Sequence, residues 1–105
     1  MKLLKKYSNR RIYDTDTSSF VKLAEIRQMV LDREVFCVVH AKTGDDLTRS
    51  ILMQIITELE SEGHESLLTN RVLEELIRFF DDKMIAMLSP YLEQQILQSI
   101  AIQDQ

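Results

Sequence analysis

Glycine and proline are scarce in this chain: its 105 residues hold two glycines and one proline. Breaks are therefore few, and the segments between them should be long. One cysteine, Cys37, excludes an internal disulfide and suits a reducing cytoplasm, the expected location. An apolar run of the roughly 18 residues a membrane helix needs is missing, so no span is expected. The N-terminus carries bases but neither an apolar stretch nor a small-residue cleavage site, so no signal peptide is expected. Acidic residues are also missing from one place. Residues 1–13 contain Lys2, Lys5, Lys6, Arg10 and Arg11 and no acid, while the other eight bases and all 17 acids follow. A local charge of +5 thus precedes −9, and the net charge is −4.

The basic stretch, "KKYSNRRIYDTDTSSF", runs from Lys5 to Phe20. Ser8-Asn9 suits a two-residue turn, because Asn tolerates positive φ. The expectation is a hairpin over 2–14, with Tyr7 opposite Arg10 and Lys6 opposite Arg11. One face would carry Leu3, Lys5, Tyr7, Arg10 and Ile12, and the other Leu4, Lys6, Arg11 and Tyr13. Five bases interleaved with two tyrosines suit nucleic acid. Arg10 and Arg11 could read guanine edges, and Asn9 adenine. The competing reading is an edge hairpin whose lysines deter aggregation.

Residues 14–19 form a polar turn, and Phe20-Val21 a brief strand. "LAEIRQMVLD" (23–32) has Leu23, Ile26, Met29 and Val30 at helical spacing. "VFCVVHA" (35–41) reads as a buried strand. Thr48 is the expected N-cap of a helix over 49–62, whose stripe is Ile51, Leu52, Ile55, Ile56 and Leu59, with Gly63 ending it. A long helix is expected from Thr69 to Leu88. Ser89-Pro90 would then cap a further helix over 91–102. The expected fold is α+β: a ββαβα unit over 1–62, then a helical region over 63–105. Leu73, Leu76, Phe79, Phe80, Met84, Met87, Leu92 and Ile96 form a broad apolar surface. Such surface marks an interface, and a homo-oligomer is expected from it.

Catalysis and metal binding find little support. Asp14/Asp16 and Asp45/Asp46 are carboxylate pairs, but "DTDTSS" lacks the glycine and distal glutamate of a calcium loop, so both pairs read as turns. Cys37, His40 and His64 lack metal-ligand spacing. Neither a nucleophile motif nor a glycine-rich phosphate loop is present, so neither an enzyme nor a cofactor is expected. A protein-interaction module, with a helical dimer core and a basic hairpin docking an acidic partner, is the alternative to a DNA-binding protein.

"KKYSNRRIYDTDTSSFVKLAEIRQMV" and "VVHAKTGDDLTRSILMQII" together resemble the polyhydroxyalkanoate synthesis repressor family. The resemblance covers residues 2–62 closely and the helical remainder loosely. It implies an N-terminal DNA-binding domain followed by an accumulation-regulator region. Double-stranded DNA would be one partner and the polyhydroxyalkanoate polymer, or the granule surface, another. The implied activity is repression of granule genes such as that of the phasin coat protein, relieved when the repressor binds polymer. The family's bases and aromatics carry over onto Lys5, Lys6, Tyr7, Asn9, Arg10, Arg11 and Tyr13. Ser8 stands where the family commonly has proline, implying a looser turn. Lys22 stands where it commonly has a threonine cap, implying a less stabilised helix start.

Overall fold

The computed structural model describes residues 1–63 and 65–103, with side chains through residue 100. The chain divides into two compact units, the first Met1–Glu65 and the second beginning at Ser66.

The first unit is built on a four-stranded sheet. β1 (Lys2–Lys6) pairs antiparallel with β2 (Ile12–Asp14), and β2 pairs antiparallel with β3 (Ser19–Val21). After helix α1 (Leu23–Leu31), β4 (Phe36–His40) returns parallel to β1, so the strand order is β3-β2-β1-β4. Helix α2 (Thr48–Ser61) completes the unit, and Gly63, at φ +79°, follows its end as expected. The mixed α+β class follows the hydrophobic periodicities, of two in the strands and 3.6 in the helices.

The hairpin register differs from the two-residue turn. Leu4 pairs with Asp14, Lys5 with Tyr13 and Lys6 with Ile12. The loop has three residues, Ser8 to Arg10. The Tyr7 N–H donates to the Arg11 carbonyl at 2.8 Å, the Arg10 N–H donates to the Tyr7 carbonyl at 3.0 Å, and Arg10 is left-handed at φ +66°. A turn closed by a left-handed residue is a standard three-residue hairpin connection. The core explains the choice. Leu4 and Ile12 are both buried beside Val38, with Ile26 and Met29 of α1 and Ile51 and Ile55 of α2. A two-residue turn would put Leu4 and Ile12 on opposite faces, because a one-residue slip reverses every side chain. Burying such a side chain contributes about 1.5–3 kcal/mol, more than turn preference can offset.

The helix starts also differ from expectation in detail. Thr48 is the first residue of α2, and its hydroxyl accepts the Val38 N–H at 2.9 Å, tying helix to sheet. Asp46 instead serves the helix start, its carboxylate accepting the Thr48 N–H at 2.9 Å. Lys22, before α1, makes no side-chain capping bond, as the missing threonine implies.

In the second unit, α3 spans Asn70–Asp81 and α4 spans Ile85–Gln103. The Thr69 hydroxyl accepts the Val72 N–H at 3.2 Å as a cap. The break falls at Asp82-Lys83 rather than Ser89-Pro90. Lys83 is left-handed (φ +58°), the Met84 N–H donates to the Phe79 carbonyl at 2.9 Å and the Lys83 N–H to the Phe80 carbonyl at 3.3 Å. This is a Schellman ending. Pro90 lies inside α4, where it forgoes the bond to the Ala86 carbonyl and its ring crowds that carbonyl, a cost of about 3 kcal/mol in a helix interior. No residue from 66 to 100 is buried. Among the described residues no helix is long and apolar enough to cross a membrane.

Candidate nucleic-acid interface

The observed register sorts the basic side chains between two sides of the sheet. Lys2, Leu4, Lys6, Ile12 and Asp14 share the helix side. Lys5 and Tyr13 share the other side with Leu3, Phe20, Cys37 and Val39, and no helix of this unit covers that side. Tyr7 and Arg11, the next pair towards the loop, follow the same alternation as Lys5 and Tyr13. Phe20 organises these side chains. Its ring meets Tyr13 edge-on at 5.4 Å and Tyr7 at 6.4 Å, and the Arg11 guanidinium lies 4.9 Å from its centroid. Phe20, on this side, and Lys22, on the helix side, are the members of the site that reading the hairpin alone missed. Alternation with Tyr13 across β2 and β3 is the signal for Phe20, and it appears only once the pairing is known.

On the helix side lies a groove of about 690 Å³. Lys6, Arg10, Arg11 and Lys22 line it over a floor that includes Ile12, Leu23 and Ile51, and no carboxylate contributes. Arg11 thus reaches from the open side, past Phe20, to the groove rim. Asn9 contributes structure: its side-chain oxygen accepts the Arg11 N–H at 3.1 Å and steadies the loop.

Lys2 has a different role from the other four N-terminal bases. Its ammonium donates to the Asp14 carboxylate at 3.0 Å, and that carboxylate is almost fully buried. Oδ1 of Asp14 also accepts the N–H groups of Asp16 (2.9 Å) and Thr17 (3.4 Å). Burial pushes the Asp14 carboxyl up, but the Lys2 ammonium and these N–H groups together outweigh it and hold the group below its ordinary value. The hydrogen bond to Asp14 raises the Lys2 ammonium in turn. Lys5, Lys6, Arg10 and Arg11 enter no ion pair among the described residues. Their charge is available to an outside anion.

The model of the PHB/PHA accumulation regulator DNA-binding domain matches residues 3–63. The chain belongs to this family. The matched segment contains all of the sheet but Lys2, both covering helices and every candidate DNA-contacting residue. Two curated relatives extend the likeness. One is described as an uncharacterized protein in the phbA 5′ region of Thiocystis violacea, 42% identical over 92 residues, or 88% of this chain and 66% of that protein. The other, an uncharacterized protein of Allochromatium vinosum, is 38% identical over 92 residues, 88% of this chain and 60% of that protein. The chain therefore spans less than two thirds of the length of each. No solved structure matches it.

Within this PHB/PHA accumulation regulator domain Asp46 and His40 serve turns. Asp46 sits below its ordinary value because the Thr48 hydroxyl and N–H both bond to it. His40 accepts the N–H groups of Lys42 (3.1 Å) and Thr43 (3.3 Å) through Nδ1, which holds the loop after β4. His64 lies outside the described residues. Among the described residues no cluster of His, Cys, Asp or Glu could hold a metal ion.

Proposed function

We propose that this PHB/PHA accumulation regulator is a transcriptional repressor of storage-granule genes, such as that of phasin, and that binding the polymer releases it from DNA. The reading rests on one observation above others. Four bases that enter no ion pair among the described residues stand around one hairpin, in a segment that matches a DNA-binding domain. Lys5, Lys6, Tyr7, Arg10, Arg11 and Tyr13 make the contacts, and Asn9 holds the loop that presents them. In this reading residues 1–62 bind DNA and residues 63–105 assemble the repressor. Leu73, Phe80, Met84, Met87, Leu92 and Ile96 are exposed in the single chain, while Leu76 and Phe79 are half-buried. A second copy, in a dimer or tetramer, covers this surface and presents two hairpins to a repeated site. Polymer engages the same greasy helices, for which flexible methionines are suited.

The test is a titration with duplexes selected from a random library and with unselected DNA, across several salt concentrations, with and without polymer granules. Selected DNA should bind tighter, with a steep salt slope from counterion release, and granules should displace it. Failure to bind any duplex would sink the proposal. Granule binding without loss of DNA affinity would sink the release step.

A further inference from the structure

The tip of the hairpin projects beyond the rest of the sheet. Ile12 is the last β2 residue paired with β3, through Val21, and Lys6 is the last β1 residue paired with β4, through His40. The Lys6 carbonyl accepts the Ala41 N–H at 2.9 Å, and past that point no strand flanks residues 7–11. Among the described residues the tip is therefore a two-stranded ribbon with no strand paired to either edge, touched by β3 only through the Phe20 side chain. Arg10 and Arg11 stand at the tip, Arg10 on the groove side and Arg11 reaching from the open side to the groove rim, and Lys5 on the open side and Lys6 on the groove side flank its base. Lys22, at the start of α1, adds a further cation to the groove side.

A surface that lies flat on DNA needs its charge on one side only. Charge on both sides of a thin projection suits a slot with two anionic walls. Resting on the reading of the hairpin as the DNA-contacting element, we infer that the tip enters the DNA major groove edge-on, and that Lys22 joins it as a phosphate contact on the groove-side wall. Dimensions favour this slot. A ribbon carrying side chains on both faces is about 10 Å thick, as the spacing of stacked sheets shows. The major groove is about 12 Å wide and the minor groove only about 6 Å. The 4.9 Å approach of Arg11 to Phe20 keeps one guanidinium at the ribbon's edge, between the two walls.

The experiment uses the full chain and a duplex it selects from a random library. One copy of the duplex carries glucosylated 5-hydroxymethylcytosine, which fills the major groove. Another is preloaded with netropsin, which fills the minor groove. Glucosylation should abolish binding and netropsin should leave it unchanged. Lys22→Ala should weaken binding to selected and unselected DNA alike, lowering the slope of log K against log salt by about one. Lys22 makes no capping bond that the substitution would remove. Displacement by netropsin with tolerance of glucosylation would overturn the inference while leaving the DNA-binding reading intact. A wild-type salt slope in Lys22→Ala would overturn the role of Lys22. Failure to select or bind any duplex would overturn the DNA-binding reading, and this inference with it.

Discussion

The Arg11 guanidinium rests over the Phe20 ring, 4.9 Å from its centroid; Phe20 belongs to β3, the edge strand next to β2, and is half exposed. The contact links the hairpin tip to β3. Phe20→Ala should leave the fold intact, because Phe20 is outside the core, yet release Arg11, Tyr7 and Tyr13. A cation–π contact at an exposed site is worth about 0.5–1 kcal/mol, so DNA affinity should fall about 2–5-fold. Unchanged affinity in a fluorescence anisotropy titration would show that Phe20 does not orient the arginine.

Arg10 combines a charge with a left-handed backbone, and two substitutions separate them. Arg10→Gly and Arg10→Ala both remove the cation and should lower the salt slope of DNA binding by about one. They should differ in stability. Alanine keeps the steric cost of the left-handed conformation, about 1–2 kcal/mol, which glycine avoids. Chemical denaturation should rank Arg10→Gly above Arg10→Ala, and equal midpoints would contradict the loop geometry.

The buried Asp14 makes stability depend on acid. Its carboxyl is held below the ordinary range in the folded state, so its stabilising contribution is present above that range and lost as pH falls through the lowered value. The Lys2 ammonium is raised, so its contribution is lost only as pH rises through a value above the ordinary lysine range. Asp14→Asn should flatten the acid limb of a melting-temperature profile. Asp14→Ala, which also strips partners from the N–H groups of Asp16 and Thr17, should cost about 1–3 kcal/mol at neutral pH. A wild-type acid limb in Asp14→Asn would rule out this pair as its source.

Assembly should depend on the exposed members of the helical surface. Phe80 is 68% exposed and Ile77 67%, so replacing both with serine should shift sedimentation towards monomer while helix content by circular dichroism is kept. Phe79, half-buried in its own chain, should disturb the fold as well when made polar. If the Ile77/Phe80 double variant assembles like wild type, the interface lies elsewhere.

The sequence by itself determined where most elements lie and where the charge collects. The stripe Ile51, Ile55 and Leu59 set α2, the β-branched run around Val38 set β4, and Gly63 marked the end of α2, because periodicity and turn chemistry are local properties. The cluster of Lys5, Lys6, Arg10 and Arg11 was legible for the same reason. Tertiary structure decided the hairpin register. A two-residue and a three-residue loop are both open to "SNRR" locally, and only the joint burial of Leu4 and Ile12 against Val38 selects the second. That choice carried Arg11 to Phe20 and Lys6 to the groove. It also paired Lys2 with Asp14, twelve residues away, and so withdrew one base from the cationic set. The end of α3 was decided at Lys83 by carbonyls of the preceding turn accepting N–H groups across a left-handed residue. Pro90, the stronger local signal, lies inside α4 despite the lost N–H bond and the ring crowding it brings.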